Sequence, residues 1–186
     1  MRTHGGAPGY VPEWNPQEQG SNPVNELDGV NVLNLYRLDQ SYPAFGNASA
    51  NHEPGNGLAG DGDSVGTING HLRWERATIV DTPARWEMTI RLQDLVTEPA
   101  MGMQVTVPAP PSATVDVTPR RLQRFAVVPF ASYAYANLDA SSNVVASGVV
   151  TADALGLVTV PGFAVSSGGN RLVLTARDAL FGDGFE

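Results

Sequence analysis

The sequence predicts an all-β fold class, with an antiparallel β-sandwich as its architecture. From Ser64 onward, apolar and polar residues alternate with the two-residue period of strands that face a core on one side. Gly, Pro, Asp, Asn and Ser interrupt this alternation at the spacing of roughly 8–12 residues that is typical of sandwiches. No segment carries a clear apolar stripe of helical period. A closed barrel uses the same pattern and is the alternative architecture.

Length and composition limit what the chain can be. Its 186 residues suffice for one domain with a core, or for a core with a loosely packed flank. Cysteine is absent, which excludes disulfides and thiolate metal sites. All 11 basic residues are arginine, a bias typical of GC-rich bacterial genomes. No apolar run is long enough to span a bilayer and no signal-peptide pattern opens the sequence, so the chain is either cytosolic or a fragment of a longer precursor, and we favour the fragment.

Charge and composition divide the chain into three parts. Residues 1–63 form an irregular flank, or the remnant of a preceding domain, rich in Gly and Pro and carrying eight acidic residues against two arginines. Residues 64–177 form the predicted sandwich, where eight acidic residues balance nine arginines. Residues 178–186 form an acidic tail. The net charge of −8 would repel phosphate backbones, so we expect no nucleic-acid partner.

The clearest strands form a hairpin. In GTINGHLRWER, Leu72 and Trp74 share the inward face with Ile68, while His71 and Arg73 face outward. RWEMTIRLQ repeats the pattern, with Trp86 inward and Glu87 outward, and RATIVDTPA joins the two strands. The remaining predicted strands are MQVTVPAP, ATVDVTP, RFAVVPF, SYAYANLD, VVASGVVTA, GLVTVPG and RLVLTAR.

Four aromatic residues are the candidate ligand-binding residues. Trp74 and Trp86 lie on the inward faces of adjacent strands, where they could meet across the sheet, and their phase with aliphatic neighbours favours core packing. Tyr133 and Tyr135 share one face of the SYAYANL strand, and their hydroxyl groups need partners if that face is buried. The functional alternative is an exposed aromatic platform that stacks on sugar rings.

The candidate metal ligands are Asp61 and Asp63 in AGDGDSVG. Their spacing is typical of the first half of a calcium loop, but Leu72 stands where an EF-hand needs its final Glu, which leaves a simpler Ca²⁺ site or an Asp-Gly turn. No other cofactor is expected. The three histidines, His4, His52 and His71, lack the spacing of a zinc pair.

Catalysis has little support in the sequence. There is no G-x-S-x-G elbow. The hypothesis of an enzyme therefore requires that the chain is the C-terminal part of a longer hydrolase, with His4 as the histidine of a triad. The basic cluster Arg120, Arg121 and Arg124 predicts a docking site for an acidic group, such as the flank or tail of the same chain.

Two segments resemble known families. The hairpin HLRWERATIVDTPARWEMTIRL resembles a strand pair of immunoglobulin-like, fibronectin type III domains, with Trp74 and Trp86 at the aromatic positions. The ending LFGDGFE resembles the Phe-x-x-D-G-F-E tails of exported proteins from GC-rich proteobacteria, in which Asp183, Gly184, Phe185 and Glu186 match. The tail resemblance implies export and an extracellular or cell-surface location, with the tail as a sorting or anchoring signal.

The sequence therefore predicts a non-catalytic accessory module of an exported bacterial protein. It would bind or anchor, with a polysaccharide or another cell-surface component as its partner. The alternatives are the C-terminal fragment of a secreted hydrolase, an esterase or peptidase, and a structural spacer without a ligand.

Overall fold

The computed structural model describes residues 39–50, 69, 71–100 and 103–176. All secondary structure in these residues is β-strand, which confirms the predicted fold class. The ten strands are β1 Tyr42–Gly46, β2 Leu72–Asp81, β3 Arg85–Leu92, β4 Leu95–Ala100, β5 Met103–Val107, β6 Ser112–Arg120, β7 Ser132–Leu138, β8 Val144–Thr151, β9 Val160–Ser166 and β10 Asn170–Ala176.

The strands form two packed antiparallel sheets and a separate hairpin. One sheet has the order β1-β6-β9, the other the order β2-β3-β10-β7-β8, and β4 pairs with β5. The first strand, β1, comes from within the predicted flank and pairs along its whole length with β6. In the larger sheet β10 pairs with β3 on one side and with β7 on the other. The predicted sandwich architecture is therefore confirmed.

Strand order bears on the finer resemblance to immunoglobulin-like domains. In constant-type immunoglobulin domains the last strand, G, lies at the edge of the CFG sheet beside F. Here the last described strand, β10, lies inside the five-stranded sheet, between β3 and β7. The immunoglobulin or fibronectin type III assignment stays a prediction.

The core lies between the two sheets and follows from the alternation in the sequence. Strand β10 shows it most plainly, because Leu172 and Leu174 are fully buried while Arg171 before them and Val173 between them are only half-buried. The largest fully buried side chains are Trp86, Phe45, Leu72, Met88, Ile90, Leu172, Leu174, Val115, Val117, Val158 and Val160. They come from both sheets, so the packing of one sheet on the other supplies most of the hydrophobic stabilisation.

Two buried amides link the sheets through hydrogen bonds. Asn137 of β7 donates from Nδ2 to the carbonyl oxygen of Ala164 in β9, at 2.8 Å. Asn170 donates from Nδ2 to Asn137 Oδ1 at 2.9 Å, and its own Oδ1 accepts from the backbone and the hydroxyl of Ser166. Because each polar group finds a partner, the two amides can be buried at 1 % and 6 % exposure without an unpaired charge or dipole.

The hairpin of β2 and β3 differs from the prediction on its outer face. His71, Arg73 and Glu87 are buried, at 6, 8 and 6 % exposure, although the alternation placed them toward solvent. Glu87 pairs with Arg85 at 2.9 Å, which offsets the cost of burying its carboxylate. Strand β2 also continues to Asp81 through a register shift between Glu75 and Val80, so the connection is shorter than the predicted RATIVDTPA.

A second difference concerns RFAVVPF, which was predicted as a strand and is irregular. Its first two residues, Arg124 and Phe125, and the preceding Gln123 donate their backbone N–H groups to the Asp81 carboxylate at 2.7 to 3.0 Å. These N–H groups therefore do not pair with a neighbouring strand. This segment forms part of the connection between β6 and β7.

The turn from β7 to β8 is organised by one carboxylate. Asp139 accepts hydrogen bonds from the backbone N–H groups of Ser141 and Asn143 and from Asn143 Nδ2. The bonds from Asn143, its side chain first, lower the pKa of Asp139 below the ordinary value of 3.8. A carboxyl with a lowered pKa stabilises the fold above its unfolded pKa, and this contribution is lost as the pH falls through the folded pKa.

We expect Asn137→Ala to lower the free energy of unfolding by about 2–3 kcal/mol, because it leaves the buried Nδ2 of Asn170 without its acceptor and the carbonyl of Ala164 without its donor. Urea denaturation measures the loss. The matched control is Asn143→Ala, whose amide is exposed and whose partners water can reach, so its loss should be clearly smaller. Equal losses in the two variants would contradict a buried link between the sheets.

Asn143→Ala should also raise the pKa of Asp139 toward 3.8, because it removes the side-chain hydrogen bond that contributes most to the lowering. Titration of the Asp139 carboxyl carbon by NMR measures this. The loss of stability in acid that Asp139 contributes should then be smaller in the variant than in the parent chain, because the folded and unfolded pKa values lie closer together. An unchanged pKa would show that the turn does not have this geometry.

Candidate functional site

The two predicted tryptophans lie in the core. Trp86 is completely buried, and its Nε1 donates to Ser41 Oγ at 2.9 Å. Trp74 is 7 % exposed and packs edge-to-face on Phe45, with ring centroids 6.3 Å apart. The register sets Trp74 opposite Ile90, so the two indoles are not directly paired across the hairpin. A sugar ring could not stack on either indole while the domain remains folded.

Tyr133 is buried and anchors the connection before β7. Its hydroxyl accepts from the backbone N–H of Val128 at 2.7 Å and donates to the carbonyl of Ala126 at 3.3 Å. Its ring packs edge-to-face on Phe125 at 5.7 Å. These contacts have the form of the tyrosine corner of immunoglobulin-like sandwiches, and they give this side chain a structural role.

Tyr135 is half-buried and covers a glycine of the edge strand. It lies opposite Gly148 of β8, and a Cβ added there would stand 2.8 Å from its Cε1 atom. The ring therefore occupies the space that a side chain at position 148 would need. This contact places Tyr135 against its own sheet, where it covers backbone that has no side chain.

The remaining predicted site residues fall into two groups. Asp61, Asp63, His4 and His52 lie outside the described residues. His71 is buried with its Nδ1 3.1 Å from the carbonyl oxygen of Gln93. Within the part of the chain that the structure describes, no three His, Asp or Glu side chains gather as metal ligands would.

The basic cluster lies where β6 ends and the connection to β7 begins. Arg121 and Arg124 are exposed, and Arg120 is half-buried. The acidic flank and tail that were its expected partners fall almost entirely outside the described residues.

Exposed apolar side chains mark a different surface, which the sequence did not single out. The large hydrophobic residues that are exposed in the described chain all fall between positions 128 and 155, and they are Val128, Phe130, Val144, Val145, Val149 and Leu155. Three of them, Val128, Phe130 and Leu155, lie on two loops at one end of the sandwich. We call these three residues the tip surface.

The first loop holds Phe130 in a conformation that an L-residue avoids. Phe130 has φ at 65°, in the left-handed region, while its side chain is 71 % exposed. The loop is fixed on both sides, because the N–H of Phe130 donates to Ala152 O at 3.1 Å and the N–H of Ala131 donates to Val128 O at 3.1 Å. A bulky residue in this region costs about 1–2 kcal/mol, and the exposed ring returns little burial energy. Such strain is found most often at functional positions.

The second loop carries Leu155 on a turn whose hydrogen bonds do not involve the Leu155 side chain. The Asp153 carboxylate accepts from the N–H groups of Leu155 and Leu157, both at 2.8 Å, and Gly156 donates its N–H to Asp153 O. Gly156 has φ at 72°, and a Cβ there would contact Val127 O at 3.5 Å and Pro129. The two loops therefore lie side by side. Leu155 contributes almost nothing to the core, since 82 % of it is exposed.

The tip surface is apolar and nearly without charge. Between residues 126 and 158 the only Asp, Glu, Arg or His residues are Asp139 and Asp153. Asp139 belongs to the turn between β7 and β8, and the carboxylate of Asp153 accepts hydrogen bonds from backbone N–H groups. A ligand at the tip would therefore meet one aromatic ring and two aliphatic side chains on a fixed backbone.

Comparison with known proteins identifies no relative. No protein-family model, no curated protein and no solved structure matches the chain. None of the described residues belongs to a helix that is long and apolar enough to cross a membrane.

We expect Tyr133→Phe to lower the free energy of unfolding by about 1–3 kcal/mol, because the N–H of Val128 loses its acceptor and the carbonyl of Ala126 its donor. Amide hydrogen exchange of Val128 should become faster in the variant than in the parent chain, and by a larger factor than that of residues in β10. If the exchange of Val128 is unchanged, the hydroxyl does not fix the loop that carries the tip surface.

Proposed function

We propose that this chain is a non-catalytic accessory module of an exported bacterial protein and that it binds or anchors through the tip surface. The observation that carries the proposal is Phe130, which is held strained and exposed at the end of the sandwich. If stability alone determined this position, it would hold Gly, or the Phe ring would be packed against the core. Loops at the end of a rigid sandwich are a common place for binding residues. Export rests on the resemblance of the tail alone.

The partner we propose is the apolar face of sugar rings in an insoluble polysaccharide. An exposed aromatic ring can stack on such a face, and the aliphatic side chains of Val128 on the same loop and Leu155 on the neighbouring loop add apolar contact. The segment from residue 126 to residue 158, which carries both loops, contains few charged residues, and this favours an uncharged ligand. The four aromatic residues expected from the sequence do not provide this platform, because three are buried and Tyr135 covers Gly148.

The test uses the full chain and insoluble cellulose, chitin and peptidoglycan in pull-down assays. The parent chain should be retained by at least one of them. Phe130→Gly should lose at least about tenfold in affinity, which corresponds to 1.4 kcal/mol or more at a binding hot spot. Its free energy of unfolding should stay within about 0.5 kcal/mol of the parent or rise, because Gly relieves the left-handed strain.

Two controls separate binding from folding. Phe130→Ala removes the ring but keeps the backbone strain, so it should bind as weakly as Phe130→Gly and be less stable. Val144→Ser also removes an exposed apolar side chain, but at the far end of β8 from the tip, and it should bind like the parent. No retention of the parent chain, or equal retention of all variants, would contradict the proposal.

A further inference from the structure

Beyond the tip surface, the edge strand β8 stands out among the edges of the two packed sheets. A bare edge invites pairing with another chain, and natural proteins protect edges with charges, prolines or irregularity. Strand β1 contains Pro43 and β9 contains Pro161. Strand β2 carries four charged residues, which are Arg73, Glu75, Arg76 and Asp81. Strand β8, with the sequence VVASGVVT, has neither charge nor proline.

The backbone of β8 can accept another strand. Ala152 donates its N–H to Ala131 O at 2.9 Å, and the register from Ser132 to Asn137 is regular. Hydrogen-bonded pairs alternate along an antiparallel ladder. The N–H and C=O groups of Ser147 and Val149 therefore point away from β7, toward the side of β8 on which no other described strand pairs. The one register shift, next to Val145, lies near the start of the strand.

The side chains of β8 indicate which strand would fit. Residues 144–150 read VVASGVV, and the reverse order reads VVGSAVV, so the strand is nearly symmetric about Ser147. Two copies paired antiparallel about Ser147 would set Val145 of one chain against Val149 of the other, and Ala146 against Gly148. Val145 and Val149 are exposed at 52 and 51 % in the single chain, and cross-strand pairs of this kind are favourable.

We propose that β8 is a homodimer interface, in which two copies of this chain join their five-stranded sheets edge to edge through antiparallel β8 strands centred on Ser147. The two-fold symmetry uses both open β8 edges at once, so the assembly closes at the dimer. A strand edge alone is smaller than a standard interface, and the dimer therefore forms in the micromolar range or above. This interface is separate from the tip surface and does not depend on what the tip binds.

Sedimentation velocity of the full chain over roughly 1 µM to 1 mM should show a reversible monomer–dimer equilibrium. Ser147→Lys should raise the dimer dissociation constant at least about tenfold, because two like charges would face each other at the centre of the interface. Ser147→Glu should do the same. An equal mixture of the two variants should dimerise again, because their charges are then complementary.

The control is Ala154→Lys, which adds the same charge to the exposed loop beyond β8 and should leave the dimer intact. A misfolded variant is recognised by its circular dichroism and could not be rescued by mixing. A parent chain that stays monomeric at all these concentrations would overturn the proposal. So would growth beyond a dimer, or a Ser147→Lys chain that dimerises like the parent.

Discussion

The rest of the structure depends on the packing of a narrow sheet on a wide one. Strand β9 of the three-stranded sheet lies against β3, β10 and β7 of the five-stranded sheet. The strands beneath it hold the buried tryptophan, methionine and leucine side chains of the core. Strand β8 lies one position further out, and none of its residues is buried. The five-stranded sheet is therefore wider than the sheet that covers it. The strands that are covered form the core, and the valine-rich strand β8 is left at the edge.

Hydrogen bonds from polar groups hold the two sheets together and also fix the loops that carry exposed side chains. The amides of Asn137 and Asn170 tie β7 and β10 to β9, so the two sheets cannot slide without leaving buried groups unpaired. Outside the core, the Asp81 and Asp153 carboxylates and the Tyr133 hydroxyl hold the backbone of the loops. These hydrogen bonds hold the loop backbone without any help from the side chains of Phe130 and Leu155, which are exposed to solvent.

Alternation in the sequence was sufficient for the fold class and for most strands, but it failed where backbone groups bond to side chains. RFAVVPF has the apolar content of a strand, yet Asp81 takes three of its neighbouring N–H groups and Tyr133 takes that of Val128. Because Asp81 lies 42 to 44 residues away in sequence, its bonds leave no local signal. The predicted binding residues were inward-facing aromatics, and their phase with aliphatic neighbours already favoured the core. Phe130 gave one usable signal, an aromatic residue directly after Pro129 in a connection.

Amide hydrogen exchange of the full chain, at a dilution where it is monomeric, tests most directly whether β8 lies outside the core. The amides of Leu172 and Leu174 in β10 should exchange only through global unfolding, because both neighbouring strands and the opposite sheet protect them. Those of Ser147 and Val149 should exchange orders of magnitude faster, because they point to the open edge. Equal protection of the two strands would show that β8 is covered, and would contradict this account of both the core and the exposed surface.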